Sequence, residues 1–446
     1  MIPEGTFQFL GFFDGLAILI WLFILLSSIS STYIKNKQNS IFRYYRVGFY
    51  TKLFAAISFS IVYIIKYSGG DTAAYWDTAQ KFNNLFFTDI SKFAHEFFNP
   101  EPFANRYLSF DINTGVPPEW IYNEKEGLFT AKIYTLLTFI TFRSYFAMTM
   151  ICAFISFKAS WKILELAQKY KVASDRNIAI GSLFLPSTAF WCTGISKDTI
   201  VYCCVIFAID LLFKYFEKDY KKNFIFYFKL FIIYFLLSNI RDFMLIVALG
   251  PFIFSLGIKW SNKEENSGFA KFGIQAMLIL IILFGLSLFF SSSKAVEITK
   301  EAQVIQSDLR NNSEYGGAKY DLGITDYSPI GMLKAMPISI FTAFFRPFIW
   351  ESGSLFILIS AVETFVFLIL TISLVFRTGI VLMIKQIRLN EFLIMAIVFS
   401  LILGFFAGYT SGLFGVLVRF KAPFLPFLFI VLTMNIKSKP TLNQSI

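Results

Sequence analysis

The chain has 446 residues, of which 56% are hydrophobic and 15% charged, and its formal net charge is +11. Soluble domains carry charged residues at about a quarter of their positions. The composition therefore excludes an ordinary soluble protein and predicts an all-α, polytopic membrane protein. We attribute the basic excess to Lys and Arg in cytoplasmic loops, with no nucleic acid as a partner.

The apolar segments predict about eleven spans in a single transmembrane domain over residues 1–446. The first has no basic segment before it and no small-residue cleavage site after it, so we expect a retained span. In chain order the predicted spans are 8–30, 50–66, 143–157, 178–192, 199–214, 223–238, 243–258, 272–292, 353–376, 391–409 and 420–436.

With eleven spans, four basic loops fall on one side, which the positive-inside rule makes the cytoplasm. These loops are 31–49, 158–177, 214–222 and 377–388. The N-terminus is then outside and the C-terminus cytoplasmic. Two long loops, 67–142 and 293–352, fall on the outer face, where we expect surface helices. Residues 128–157 are long enough for one tilted span or two short ones. We favour one, with 128–141 lying on or in the outer leaflet.

The stretch YSGGDTAAYWDTAQ, residues 67–80, follows the second predicted span. Two glycines allow a tight turn at a helix end, and Asp71 comes directly after them. Its carboxylate suits a general base that deprotonates a sugar hydroxyl, or a hydroxyl-binding acceptor. Tyr75 and Trp76 offer flat faces to sugar rings or anchor at the interface. The alternative is that Asp71 only caps a helix. Asp77 is a further candidate for substrate binding, but we favour its interpretation as an ordinary solvated acid.

Basic residues at the predicted outer ends of spans form a second group, contrary to the orientation rule. Converging Arg and Lys side chains would bind the phosphate or diphosphate of a lipid-linked substrate. The alternative is local pairing of Lys197 with Asp198, of Arg241 with Asp242 and of Arg346 with Glu351. The candidate substrate-binding residues in this group are Lys197, Asp198, Arg241, Arg346, Arg419 and Lys421.

Glu363 lies within a predicted span, where a charge is costly and often functional. It could equally be a buried partner for a neighbouring Lys, Tyr or Ser. The single histidine, His95, makes a His-based metal site or a Ser-His-Asp triad improbable. The chain has no P-loop, no GxGxxG and no HExxH, so no nucleotide cofactor is expected. The sequence leaves the need for a divalent metal open.

The arrangement resembles the GT-C superfamily of integral-membrane glycosyltransferases and the bacterial polysaccharide polymerases that use polyprenyl-linked sugars. The resemblance rests on SGGDTAAYW in the first outer loop, PSTAFWCTGISKD at 186–198, FRPFIWE and GVLVRFKAPFLPF. It implies an acidic site at Asp71 and lipid-phosphate ligands at Arg346 and Arg419. It also implies a bacterial inner membrane protein of cell-surface glycan synthesis.

The sequence thus predicts a glycosyltransferase that uses a polyprenyl phosphate or diphosphate carrier on the outer face of that membrane. Its expected partners are the polyprenyl-linked glycan, membrane lipids and other envelope glycan-assembly proteins. The alternatives are a lipid-linked glycan flippase or other secondary transporter, and a non-catalytic scaffold in an envelope complex.

Overall fold

The computed structural model describes residues 9–217, 220–261, 318–324 and 326–436, and the single positions 273, 299, 300, 303, 304 and 307. Within these ranges the chain is all-helical and contains no strand, as the composition predicts. The predicted span 272–292 lies outside the described residues, apart from position 273. Much of the predicted loop 293–352 also lies outside them.

Six helices in the described part of the chain are long and apolar enough to cross a membrane, or seven if one bent pair counts as a span. The prediction of about eleven spans is not confirmed. The six are Phe13–Asn36, Ser40–Lys66, Tyr145–Lys169, Phe243–Ser261, Leu355–Thr378 and Glu391–Thr410.

Four other predicted spans lie in described segments but are not among these six helices, and each has a physical reason. The segment predicted at 178–192 is broken at Leu185, because the residue before a proline avoids helical geometry and Pro186 begins a new helix. The segment at 199–214 lies in a helix that carries four charged residues. The segment at 223–238 forms a helix of only 17 residues. The segment at 420–436 contains the bent pair, whose two halves meet at 71°.

The chain divides into two compact units. Unit 1 comprises Met1–Lys162 and Ala189–Ile246, and unit 2 comprises Ile163–Thr188 and Val247–Ile446. The first helices in chain order are α1 (Phe12–Asn36), α2 (Tyr45–Lys66), α3 (Gly70–Thr88), α4 (Ile90–Phe98), α5 (Glu119–Asn123), α6 (Lys125–Ile140), α7 (Tyr145–Lys169), α8 (Asp175–Ala179), α9 (Pro186–Trp191), α10 (Lys197–Tyr215), α11 (Phe224–Ile240) and α12 (Phe243–Ser261).

The later helices belong to unit 2. They are α13 (Pro329–Phe345), α14 (Leu355–Thr378), α15 (Ile380–Arg388), α16 (Glu391–Thr410), α17 (Phe414–Lys421) and α18 (Leu425–Leu432).

In unit 1, the segment between α2 and α7 folds into helices that bury an aromatic core. Helix α3 packs along α6, and Tyr75, Tyr134 and Tyr145 are fully buried between them and α7. A second cluster forms around Phe82 and Tyr122. The segment 67–142 is therefore a folded part of unit 1. Its predicted position on the outer face stays a prediction.

In unit 2, α13 and α16 approach each other closely through glycine. A Cβ at Gly408 would lie 2.0 Å from the carbonyl oxygen of Ser339, and one at Gly404 would lie 2.6 Å from the ring of Phe344. This spacing is the small-xxx-small pattern that lets membrane helices bring their backbones together. The two glycines thus fix how these helices pack.

Candidate functional site

Asp71 lies at the junction of α2 and α3, in the first turn of α3. Ser68, Gly69 and Gly70 all have positive φ, and a Cβ at Gly70 would press on the ring of Tyr63. The two glycines therefore form the tight turn that the sequence predicts. Asp71 itself is half-buried, at the helix end where the macrodipole favours a negative charge. This position is compatible with two roles for the carboxylate: capping the start of α3, or acting as a general base on a substrate hydroxyl.

Asp77 lies on α3 and forms an ion pair of 2.5 Å with Lys81, one turn further along. Both side chains are partly exposed. This i, i+4 pair is the ordinary arrangement of a solvated helix face.

Tyr75 and Trp76 are buried, with 1% and 6% of their surfaces exposed. Trp76 stacks on Phe9, packs edge-on against Tyr145 and donates its indole N–H to the carbonyl of Arg143. Protein side chains therefore occupy the ring faces that the sequence suggests for sugars. In this structure both residues hold α3 against its neighbours.

Lys197, Asp198 and Arg241 come together in unit 1, with two acids that precede α6 or lie in its first turn. Lys197 pairs with Glu124, and Glu126 lies 3.8 Å from its Nζ. Asp198 pairs with Arg241 at 2.8 Å. We call these five residues the unit 1 charge cluster. Residues distant in sequence supply these partners, since Lys197 and Asp198 are adjacent on α10 and do not face each other.

The pairs of this cluster differ in burial. The side chains of Asp198 and Arg241 are 3% and 18% exposed, whereas those of Glu124 and Glu126 are 44% and 51% exposed. Partial burial raises the pKa of the Glu126 carboxyl, although nearby Lys197 opposes the shift. The Asp198–Arg241 pair is therefore enclosed by protein, whereas the carboxylates around Lys197 are in contact with solvent.

The start of α10 is also held by hydrogen bonds. The Ser196 hydroxyl caps the helix at Thr199, and the buried hydroxyl of Tyr134 accepts from Ser196 N–H at 2.8 Å. Burial raises the pKa of Tyr134, so its phenol stays protonated and donates back to the Ser196 carbonyl. Lys197 thus has a defined backbone position.

Arg346, in unit 2, ends α13 and forms a forked ion pair with Glu351. Its Nε donates to both carboxylate oxygens, at 3.0 and 3.2 Å. The guanidinium also lies about 5 Å from the ring centres of Tyr320 and Phe414. Of the predicted local pairs, this one is present.

Lys421 and Glu363 form a buried polar group in unit 2, together with Ser187. Lys421 is fully buried at the bend between α17 and α18 and donates to the Arg346 carbonyl at 2.8 Å. Glu363 is 6% exposed within α14 and accepts from the Ser187 N–H at 3.3 Å, at the start of α9. The start of α9 thus places a backbone N–H beside Glu363. The bend between α17 and α18 places Lys421 beside a backbone carbonyl. Arg419 lies half-buried on α17, two residues before Lys421.

The candidate residues therefore fall into two separate sets. Asp71, Lys197, Asp198 and Arg241 belong to unit 1. Arg346, Arg419, Lys421 and Glu363 belong to unit 2. Sequence reasoning missed Glu124 and Glu126, whose only signal is the charged stretch NEKEG at 123–127. Within the residues that the structure describes, no group of three His, Cys, Asp or Glu side chains could hold a metal ion.

Comparison of the chain with protein-family models, with curated proteins and with solved structures gives no match.

Proposed function

We propose that the protein is a membrane glycosyltransferase, GT-C-like or a polysaccharide polymerase. It would take a sugar or oligosaccharide from a polyprenyl phosphate or diphosphate on the outer face of a bacterial inner membrane. The supporting observation is that helix α3, which carries Asp71, packs against the segment that leads into Lys197 of the unit 1 charge cluster. Ala74 and Tyr75, one turn beyond Asp71, share a core cluster with Ile195, two residues before Lys197.

In the proposed reaction, the acceptor hydroxyl oxygen attacks the anomeric carbon of the lipid-linked sugar. The bond from that carbon to the phosphate oxygen breaks, and the lipid phosphate leaves with the electron pair. Asp71 accepts the hydroxyl proton as the new bond forms. Atoms and charge balance without a nucleotide or an oxidant.

Lys197 is the cation in unit 1 best suited to bind the leaving phosphate. Its acidic partners are half-exposed, whereas its own side chain is 10% exposed, so a phosphate that replaced them would keep the lysine charge compensated. A phosphate could therefore displace them at the N-terminus of α10, an end that favours anions. Arg241 is tied to the buried Asp198 and would position this helix start.

The roles suggested by the resemblance for Arg346 and Arg419 stay predictions, as do the proposed lipid and envelope partners. In the proposal, Tyr75 and Trp76 support α3 and do not stack on substrate, because protein covers their rings.

The test compares Asp71→Asn with Asp77→Asn at equal expression. The second variant is a matched control, because it removes a carboxylate from the same helix where that group serves an exposed ion pair. Mass spectrometry would measure polyprenyl-linked glycans, and a gel would measure surface polysaccharide. We expect Asp71→Asn to accumulate the lipid-linked precursor and lose surface glycan, with Asp77→Asn near wild type. Normal surface glycan in the Asp71→Asn variant would show that Asp71 only caps α3 and is not the general base.

A secondary transporter is the second candidate, favoured by the buried polar group of unit 2. Transporters bind substrates and ions at breaks in helices, where backbone and charged groups meet. Glu363 and Lys421 lie at or beside two such breaks. The test is Glu363→Gln with a protease-accessibility assay of the lipid-linked precursor. Precursor trapped on the cytoplasmic side would indicate a flippase, and precursor trapped outside would indicate a transferase.

A further inference from the structure

A long groove in unit 1 lies between α6, α7, α10 and α11, with a volume of about 660 Å³. One wall is a single face of α10, which runs from Thr199 through Cys203 and Phe207 to Lys214. At 1.5 Å per residue this wall is about 22 Å long. A bilayer leaflet has a hydrocarbon depth of about 15 Å, half of the whole core. The groove is thus long enough for an extended lipid chain.

The walls of the groove are apolar along most of this length. Leu136 and Leu137 contribute from α6, and Ile233 and Leu236 contribute from α11. The remaining surface of α11 is also apolar and exposed, with large side chains such as Phe231 at 61% exposure. The groove therefore lies beside a surface suited to hydrocarbon.

Lysines gather at one end of the groove, where α10 ends and α11 begins. Lys214 and Lys229 line this end, and Lys162 lines the groove from α7. Asp210 also lines it and pairs with Lys214 at 2.7 Å. The charged residues that line the groove are thus three lysines and one aspartate, with a net positive charge. A smaller pocket of about 280 Å³ shares Lys229 with the groove and adds Lys221. The positive charge is thus continuous beyond the end of the groove.

We propose that this groove binds one acyl chain of an anionic glycerophospholipid, with the headgroup phosphate beside Lys162 and Lys229. Basic pockets between membrane helices bind anionic lipid headgroups in this way. Lys214 and Lys221 lie in the stretch 214–222 and Lys162 lies in the stretch 158–177, both of which the sequence predicts on the cytoplasmic side. Lys197 lies at the opposite end of α10, about 25 Å away. The ligand is therefore distinct from the proposed glycosyl donor, and the inference does not depend on the proposed function.

The test is native mass spectrometry of the full chain in nonionic detergent, titrated with dioleoyl phosphatidylglycerol or dioleoyl phosphatidylcholine. We expect tighter binding of the anionic lipid. Each lysine near a headgroup changes affinity about fivefold, so Lys162→Gln with Lys229→Gln should weaken it about 25-fold. Lys214 is left intact because it forms an ion pair with the buried Asp210.

The matched control is Arg377→Gln with Lys385→Gln. It removes two exposed charges from the end of α14 and from α15 in unit 2, within the stretch 377–388 that is predicted to lie on the same side. This variant should bind the anionic lipid as wild type does. Asp71→Asn should also bind it normally, which separates this inference from the glycosyltransferase proposal.

Equal affinity for the two lipids, or equal losses in the lysine variant and its control, would overturn the headgroup assignment. Tighter binding of a polyprenyl phosphate that displaces phosphatidylglycerol would overturn the choice of occupant. If the lysine variant aggregates, Cys204→Phe decides the question, because a larger side chain on the groove wall should exclude the acyl chain. Unchanged binding by that variant would refute the groove as the site.

Discussion

The buried pair of Asp198 and Arg241 gives the most direct test of how unit 1 is held together. The two side chains meet at 2.8 Å, and the carboxylate is 3% exposed against 18% for the guanidinium. Removing one member of such a pair leaves an uncompensated charge, which costs about 3–5 kcal/mol. Replacing both members costs less than the two single replacements together, because no lone charge is left behind.

The difference in burial predicts an order for the single variants. Arg241→Gln removes the guanidinium that pairs with the more deeply buried charge, so its cost should lie near 5 kcal/mol, the upper end of about 3–5 kcal/mol. Asp198→Asn leaves the more exposed guanidinium, so its cost should lie near the lower end, about 3 kcal/mol. The double variant should cost less than the two singles together, with a coupling energy of about 3 kcal/mol.

Equilibrium unfolding in mixed micelles would measure these free energies in a double-mutant cycle. Asp77 and Lys81 supply a matched control cycle, since that pair lies on one partly exposed helix face. Its coupling should be about 0.3–0.5 kcal/mol. If the free energies for Asp198 and Arg241 simply add, the pair makes no energetic contribution and the reasoning fails.

Two further predictions concern packing and pH. Gly408→Ala should destabilise unit 2 by about 3 kcal/mol or more, because its Cβ would collide with the backbone of Ser339. Gly415→Ala is its control, with open space around the added methyl, and thermal unfolding should find it unchanged or slightly more stable. Burial lowers the pKa of Lys132 to about 8, against 10.5 for the unfolded chain. The unfolded state then binds more protons above pH 8, so stability should rise between about pH 8 and 10.5, by on the order of 3 kcal/mol. Lys132→Met should reduce this rise of the unfolding free energy with pH. An unchanged slope would show that other groups cause the rise.

The sequence predicts the fold well where a run is long, apolar and free of charge. Such a run has one stable solution in a membrane, a helix that satisfies its own backbone. The six candidate spans all coincide with predicted ones. The prediction is weaker where a run contains a break, because hydropathy averages over Pro186 and over the bend after Lys421.

The site is less predictable, because its partners are distant in sequence. The tight turn before Asp71 follows from two adjacent glycines, and the Arg346–Glu351 pair follows from a separation of five residues. The pairing of Lys197 with Glu124 depends on how α6 packs beside α10. No local pattern encodes that packing. The burial of Trp76 is equally a tertiary effect, since an aromatic residue suits both a core and a sugar platform.

The pairing of Asp198 with Arg241 also has a consequence for biosynthesis. Asp198 leaves the ribosome well before Arg241, with all of α10 and α11 between them. Until α11 has been made, the start of α10 carries a carboxylate that lacks this guanidinium and is costly to bury. The start of α10 should therefore reach its final packing in unit 1 only after α11 is complete. A nascent chain truncated before Arg241 should leave the start of α10 more accessible to limited proteolysis than a chain that includes Arg241.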